Sequence, residues 1–197
     1  LFDKYSETYD QHLLSSLDYT VPEKISHLIN EKYGKTGTIG RVLDLGCGTG
    51  LCGVEIKDRC SELIGIDLSK QMLIKAKQKS AYTHLENIEI TEYLRKSKSM
   101  FDIMIAADVL IYVGKLDKLF LYCSRKIRSG GCFIFSIETT ETKNFQVNKT
   151  GRFSHNKKYI EDLAKKTLWH INSKEETEIR KENGFPVRGF LFSLIKN

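Results

Sequence analysis

Val42-Leu43-Asp44-Leu45-Gly46-Cys47-Gly48-Thr49-Gly50 decides how the rest of the chain is read. An apolar run ends in an acid, and glycines alternate after it. Glycine at such positions lets the backbone turn tightly between a strand and a helix while a ligand comes closer than a β-carbon would allow. Working outward, Gly40 to Leu45 reads as a buried strand, and Leu51 to about Arg59 as the helix that follows. Leu63 to Asp67 reads as a second strand, so the loop opens a βαβ unit. Asp67 ends that strand, 21 positions beyond Gly46. A carboxylate there can accept hydrogen bonds from both hydroxyls of a ribose. The expectation is a nucleotide-type ligand at the carboxyl ends of the strands.

The glycines alone do not choose the ligand. Gly48 to Gly53 also satisfies G-x-G-x-x-G, which keeps a nicotinamide or flavin dinucleotide and an oxidoreductase open. In that fingerprint a pyrophosphate rests on the helix N-terminus, and an acid just before the loop works against its charge. Asp44 is such an acid. It suits a ligand with a cationic amino group, as in the methionine part of S-adenosylmethionine.

The flanking sequence extends the α/β pattern. Residues 1 to 35 read as helical, with Leu13, Leu14, Leu17, Ile25, Leu28 and Ile29 at helical spacing, Pro22 in a first turn and Gly34 as a stop. Ser69 is placed to cap a helix through about Lys79, with Met72, Leu73 and Ala76 on its inner face. Ile88 to Ile90, Phe101 to Ala106 and Cys132 to Ile137 read as the third, fourth and fifth strands. Leu116, Leu119, Phe120, Cys123 and Ile127 mark a helix ended by Ser129-Gly130-Gly131. After a helix near Lys157 to Lys166, Leu168 to Arg180 and Val187 to Ile195 read as a hairpin around Lys181-Glu182-Asn183-Gly184-Phe185-Pro186. The prediction is a doubly wound, mainly parallel seven-stranded mixed sheet, with helices on both faces and an antiparallel hairpin strand at one edge.

The run from Asp44 to Gly50 resembles motif I of the class I S-adenosylmethionine-dependent methyltransferases, and Ile64-Gly65-Ile66-Asp67-Leu68-Ser69 resembles their second motif. The resemblance implies a Rossmann-like fold that binds S-adenosylmethionine and releases S-adenosylhomocysteine. It implies that Gly46, Cys47, Gly48 and Gly50 form the loop at the cofactor and that Asp67 binds the ribose. Leu68 and Met72 would flank the adenine, and Glu89 with Ile90 would meet its edge, although the family more often has Asp where Glu89 stands. Ala106 to Asp108 would line the methionine and methyl end, and Tyr9 would form a lid. Asp3-Lys4-Tyr5 through His12-Leu13, Ala106 to Val113, and Gly151-Arg152-Phe153-Ser154-His155 further resemble a subgroup of bacterial methyltransferase domains. Some of these carry tetratricopeptide repeats before the catalytic domain, which accords with a chain that begins at Leu1. One domain is expected over 1–197, with an N-terminal helical lid segment at 1–35 and a Rossmann-like core at 36–197.

Composition fits this reading. The chain has 197 residues, 41% hydrophobic and 28% charged with two prolines, which excludes disordered and collagenous classes. No apolar stretch approaches the roughly 20 residues of a membrane span. Five scattered cysteines without a C-x-x-C pair read as free thiols of a cytoplasmic protein, with no metal expected. The net charge is +6. The lysines at 70, 75, 77 and 79, and at 157, 158, 165 and 166, read as solvated helix faces because no aromatics interleave them.

Because the sulfonium already activates the methyl group, the protein need mainly align a nucleophile and keep water out. If a base is used, Tyr112 and His155 are the candidates by position, and His12, Tyr112 and His155 are expected near the acceptor. There is no Asp/Asn-Pro-Pro-Tyr element and no Pro-Cys nucleophile, which weighs against nucleic acid. A small molecule or a protein side chain is the expected acceptor. A binding module that keeps the fold without turnover is the third reading.

Overall fold

The computed structural model describes residues 19–142, 144–182 and 184–197. Helix α1 (Val21–Tyr33) begins with Pro22 in its first turn and stops at Gly34. Strand β1 (Gly40–Leu45) leads through the glycine loop into α2 (Leu51–Ile56), a short 3-10 turn and β2 (Cys60–Asp67). Helix α3 (Lys70–Gln78) is capped by Ser69, whose hydroxyl accepts the Met72 N–H. The chain continues through β3 (His84–Asn87), α4 (Ile90–Lys96), β4 (Phe101–Ala106) and a 3-10 turn at Leu110–Tyr112. Helix α5 (Asp117–Lys126), β5 (Ile127–Glu138), a small hairpin of β6 (Phe145–Val147) and β7 (Phe153–His155), α6 (Lys157–Lys166), β8 (Trp169–Glu182) and β9 (Phe185–Lys196) complete it.

The seven-stranded sheet has the order β3-β2-β1-β4-β5-β9-β8. β1 pairs in parallel with β2 on one side and β4 on the other. The chain therefore winds outward from β1 in both directions and leaves a crevice at the carboxyl ends of β1 and β4, where open α/β sheets bind ligands. β5 and β9 pair antiparallel, as do β9 and β8. The reversed strand thus lies inside the sheet, between β5 and β8, and β8 is the edge. Packing explains this position. β9 buries Leu191, Phe192 and Leu194, whereas most of β8 between Trp169 and Ile179 is half-exposed or exposed.

Two apolar layers enclose the sheet. On one face Ile25, Leu28 and Ile29 of α1 and Cys52 and Ile56 of α2 meet Val42, Ile103, Ile134 and Leu191. On the other, residues of α4, α5 and α6 meet Leu43, Leu45, Met104, Phe133, Phe135 and Phe192. Phe120 abuts Phe133 and Phe135 edge-on, and Phe135 stacks on Phe192 with centroids 5.4 Å apart. The 21–33 part of the expected lid is therefore a core helix of the first layer; residues 1–18, including Leu13, Leu14 and Leu17, lie outside the described residues.

Several boundaries differ from the sequence reading, two of them for an evident local reason. The third strand is His84–Asn87, not Ile88 to Ile90, because Glu89 caps α4 by accepting the N–H groups of Thr91 and Glu92. Helix α5 ends at Lys126, and Ser129-Gly130-Gly131 lies in the bent start of β5 instead of ending the helix. Phe153 to His155 of the Gly151 to His155 motif form the return strand of the β6–β7 hairpin, and Gly151 and Arg152 lie in its turn. Its strands span three residues each, too short for a periodicity to register.

Candidate functional site

Asp67 organises the loop after β1. It stands at the end of β2, next to the end of β1, because the two strands run in parallel register from Val42↔Leu63 to Leu45↔Ile66. Its Oδ2 accepts the Gly48 N–H at 2.9 Å and its Oδ1 accepts the Ser69 N–H at 2.8 Å. The Cys47 N–H donates to Ile66 O at 2.9 Å, so loop and strand close on each other. Gly46 has φ 68°, and a β-carbon there would come within 2.7 Å of the Val109 side chain.

Beside this loop lies a cavity of about 480 Å³, the volume of a nucleoside-sized ligand and more. Asp67, Leu68 and Met72 form one wall, Ile88, Glu89 and Ile90 a second, and Ala107, Asp108, Val109, Tyr112 and Val113 the far end, with Gly46 and Gly48 as its floor. Leu68 is 71% exposed although apolar, whereas Met72 beneath it is buried. A flat apolar ring set between Leu68 and Ile88 or Ile90 would cover that exposed surface. Glu89 is already engaged: partial burial would raise its pKa, but hydrogen bonds from Thr91, Glu92 and Ile90 outweigh this and hold it below the usual value. Its carboxylate is therefore ionised at the cavity edge.

Asp44 does not line this cavity. It is 1% exposed and borders a smaller recess of about 40 Å³ behind the loop, shared with Cys47, Thr49 and, from the start of α1, Tyr19 and Pro22. Gly46, Gly48 and Ala107 border both spaces, which makes the loop a partition between them. The Tyr82 hydroxyl donates to Asp44 Oδ2 at 2.7 Å. Burial pushes the Asp44 carboxyl up to about 7; the Tyr82 hydrogen bond opposes this and the Asp67 charge adds to it. An ammonium group entering the recess would reverse that shift.

The far end holds an ionic network that the sequence did not announce. Asp108 follows β4 with φ 55°, a left-handed conformation that Asp tolerates better than most residues. Arg180, on β8, is 2% exposed, and its Nη1 lies 2.7 and 2.9 Å from the two Asp108 oxygens. Its Nη2 reaches Glu138 Oε1 at 2.5 Å and Glu182 Oε2 at 3.8 Å. Arg152, in the β6–β7 turn, donates to Glu182 Oε1 at 2.9 Å. Burial raises the Asp108 pKa and so does Glu138, while Arg180 and Arg152 lower it; the net direction is up. The Tyr112 hydroxyl is raised by burial and by the Asp108 charge, with Arg152 opposing, so the phenol keeps its proton at neutral pH.

His155 is fully buried and is not among the cavity-lining residues. Its Nε2 lies 2.9 Å from Val113 O and 3.0 Å from Gly114 O. Two carbonyls at one nitrogen assign the proton to Nε2, and Nδ1 has no partner among the described residues. Burial lowers its pKa against the pull of those carbonyls and of Glu138. His155 thus fastens the Tyr112–Gly114 turn from behind and does not reach the acceptor space. Ala106 is likewise buried inside β4, and its neighbour Ala107 lines the cavity in its place. Gly50 borders neither space and serves as the N-cap of α2. Tyr9 and His12 lie outside the described residues. Sequence reading missed Tyr82, Glu138 and Arg180; Arg180 gives no signal, because it stands in the charged run from Lys174 to Glu182 in which only Ile179 is apolar.

A doubly wound sheet with one reversed strand, a glycine loop closed by an acid, and a cavity at the strand ends define a Rossmann-like α/β protein built for a nucleoside-type ligand. Residues 39–184 match the family model described as Methyltransferase domain, and the chain belongs to that family. A ubiquinone biosynthesis O-methyltransferase of Alkalilimnicola ehrlichii is 29% identical over 109 residues, covering 53% of this chain and 44% of that protein. The chain spans about half the length of the curated relatives it matches. An S-adenosylmethionine-dependent methyltransferase of Clostridium acetobutylicum superposes with TM-score 0.73 at 18% identity, covering 100% of this chain and 99% of that one. N-methyltransferase NodS of Bradyrhizobium japonicum, in complex with S-adenosyl-l-homocysteine, superposes with TM-score 0.71 at 14% identity, covering 91% and 89%. At such identities the likeness concerns the fold.

Proposed function

We propose that the chain is an S-adenosylmethionine-dependent methyltransferase acting on a small molecule or a protein side chain in the cytoplasm. The observation that carries this reading is the arrangement of Asp67, the Gly46–Gly48 loop and the buried Asp44 around two adjoining spaces. The larger space suits an adenosine, with Asp67 at the ribose, Leu68 and Met72 against the ring, and Glu89 and Ile90 at its edge. The recess at Asp44 and Cys47 suits the charged amino group of the methionine part, and Ala107 and Asp108 suit the methyl end. When bound, S-adenosylmethionine supplies a methyl group already activated on a sulfonium. The chain's own residues then orient the two reactants, and Val109 and Val113 supply apolar wall beside Asp108 and Tyr112 at the far end.

A dinucleotide fits less well, since its pyrophosphate would face Asp44 across the loop. The Gly151 to His155 stretch supports kinship with the repeat-associated bacterial methyltransferase domains. Calorimetric titration with S-adenosylmethionine, S-adenosylhomocysteine and NAD tests the proposal. Binding of the first two with no response to NAD is the expected result, and binding of NAD alone would overturn it. Retained affinity without methyl transfer to any of a broad acceptor panel would favour a binding module.

A further inference from the structure

We propose that Asp108 is the proton acceptor for the methyl-accepting group, that this group is a nitrogen or oxygen carrying a hydrogen, and that Arg180 is the positioning residue that holds Asp108 for the task. The inference rests on the cofactor reading given above and goes beyond it by assigning the acceptor's chemistry.

Three carboxylates line the large cavity, and their engagements differ. Asp67 is bonded to the main chain of the loop, and Glu89 to the first turn of α4. Both belong to the end where the adenosine is placed. Asp108 lies at the opposite end, and the contacts seen at its carboxylate come from one nitrogen, Nη1 of Arg180. Each oxygen therefore retains acceptor capacity, and Asp108 lines the cavity wall. Its left-handed backbone is fixed by the Ser136 hydroxyl, which accepts the Asp108 N–H at 2.8 Å. A strained residue held from both main chain and side chain at a cavity wall is what aiming a reactive group requires.

The other candidates by position fall away. His155 is sealed behind the turn, and the Tyr112 phenol holds its own proton. Arg180 would satisfy its charge with Glu138 and Glu182 alone, yet it reaches across from β8 to Asp108, 72 positions earlier in the chain. In the reaction the acceptor's lone pair forms the bond to the methyl carbon as the carbon–sulfur bond breaks and its electron pair stays on sulfur. The acceptor's proton passes to an Asp108 oxygen and then to solvent. Atoms and charge balance without a further reagent. A carboxylate acceptor would meet repulsion at Asp108, and a neutral amine or a hydroxyl would not. The charged groups that set the titration of Asp108 are Arg180 of β8, Glu138 of β5 and Arg152 of the hairpin turn, and Tyr112 in turn feels the Asp108 charge.

The test needs no knowledge of the acceptor. Sinefungin carries a primary ammonium where S-adenosylmethionine carries its methyl group, so it points N–H donors toward the acceptor's position; S-adenosylhomocysteine lacks them. Calorimetry on the 197-residue chain compares both ligands for the wild type, Asp108→Asn, Arg180→Met and Arg180→Lys, with thermal melts to confirm folding. Asn tolerates the left-handed conformation, so Asp108→Asn should fold. It is expected to lose about tenfold or more of the preference for sinefungin over S-adenosylhomocysteine. In Arg180→Met the pH midpoint of that preference should move up, because a cation that favours the ionised carboxylate is gone, and Arg180→Lys should restore part of the shift. If Arg180→Met does not fold, a Lys midpoint equal to the wild-type value overturns the role of Arg180. Equal losses for both ligands in Asp108→Asn, or no loss for either, would overturn the inference while leaving the cofactor reading intact. If the wild type binds neither ligand, both fall together.

Discussion

Asp67 and Asp44 show how differently two buried-edge carboxylates can be used within one loop. Asp67 accepts two main-chain N–H groups and lines the cavity, so its removal loosens the loop and takes away the proposed ribose partner together. Asp67→Ala should weaken S-adenosylmethionine binding about a hundredfold, since hydrogen bonds to a charged group contribute about 1.5–3 kcal/mol each; calorimetry reads this directly. Asp44 has a different signature because its carboxyl is pushed up to about 7 in the folded chain. A group with a raised folded pKa stabilises the fold fully below its unfolded value, near 4, and loses that contribution as pH rises through about 7. Denaturant titrations should therefore show Asp44→Asn gaining on the wild type as pH rises from about 5 to about 8. An arriving ammonium restores the ionised form, so S-adenosylmethionine binding near pH 7 should release a proton. Calorimetry in two buffers of different ionisation enthalpy measures it, and zero release would place the amino group elsewhere.

At the scale of elements, β9 explains why the end of the sheet holds its register. Gly189 pairs with Glu138 across β5, and a β-carbon there would lie 1.9 Å from Ile137 O. Gly189→Ala must push β9 from β5 at the point where Glu138 meets Arg180. A destabilisation of about 2–4 kcal/mol is expected from such overpacking, measurable by urea denaturation. Helix α4 makes the complementary case. Glu89 is both its N-cap and part of the cavity wall. Glu89→Ala should cost about 1 kcal/mol of stability through the lost cap and also weaken cofactor binding, whereas a cap alone would change only the first.

At the scale of the whole molecule, a ligand seated across β1, β2, β4 and the loops after them binds only the folded chain. Its free energy therefore adds to stability. At S-adenosylmethionine concentrations about a hundredfold above Kd the gain is about 2.7 kcal/mol, or roughly 5–10 °C in Tm for a domain of this size. A thermal shift assay checks it, and NAD at equal concentration should leave Tm unchanged. The five free cysteines give an independent reading of compactness. Four are buried, and burial pushes even the half-exposed Cys60 thiol up to about 12. Native protein should react slowly with a thiol reagent, and all five groups should react on unfolding.

Much of this molecule could be read in order along the chain. The strand, glycine loop and Asp67 are local, their periods and spacing are imposed by the backbone, and the structure places Gly46, Gly48, Asp67, Leu68, Met72, Glu89, Ile90, Asp108 and Tyr112 around one cavity. The boundary of β3 was misread because a half-exposed edge strand carries little apolar signal and a capping glutamate imitates a strand residue. What the linear sequence could not contain is the meeting of Asp108, Glu138 and Arg180, or of Asp44 and Tyr82. Those pairs are 30, 42, 72 and 38 positions apart along the chain. Pattern fixes which faces are buried, since hydrophobic burial is non-directional and additive along a strand. Which charges share a buried site is decided only when β4, β5 and β8 are brought to one end of the sheet, because a buried charge must find its partner in space.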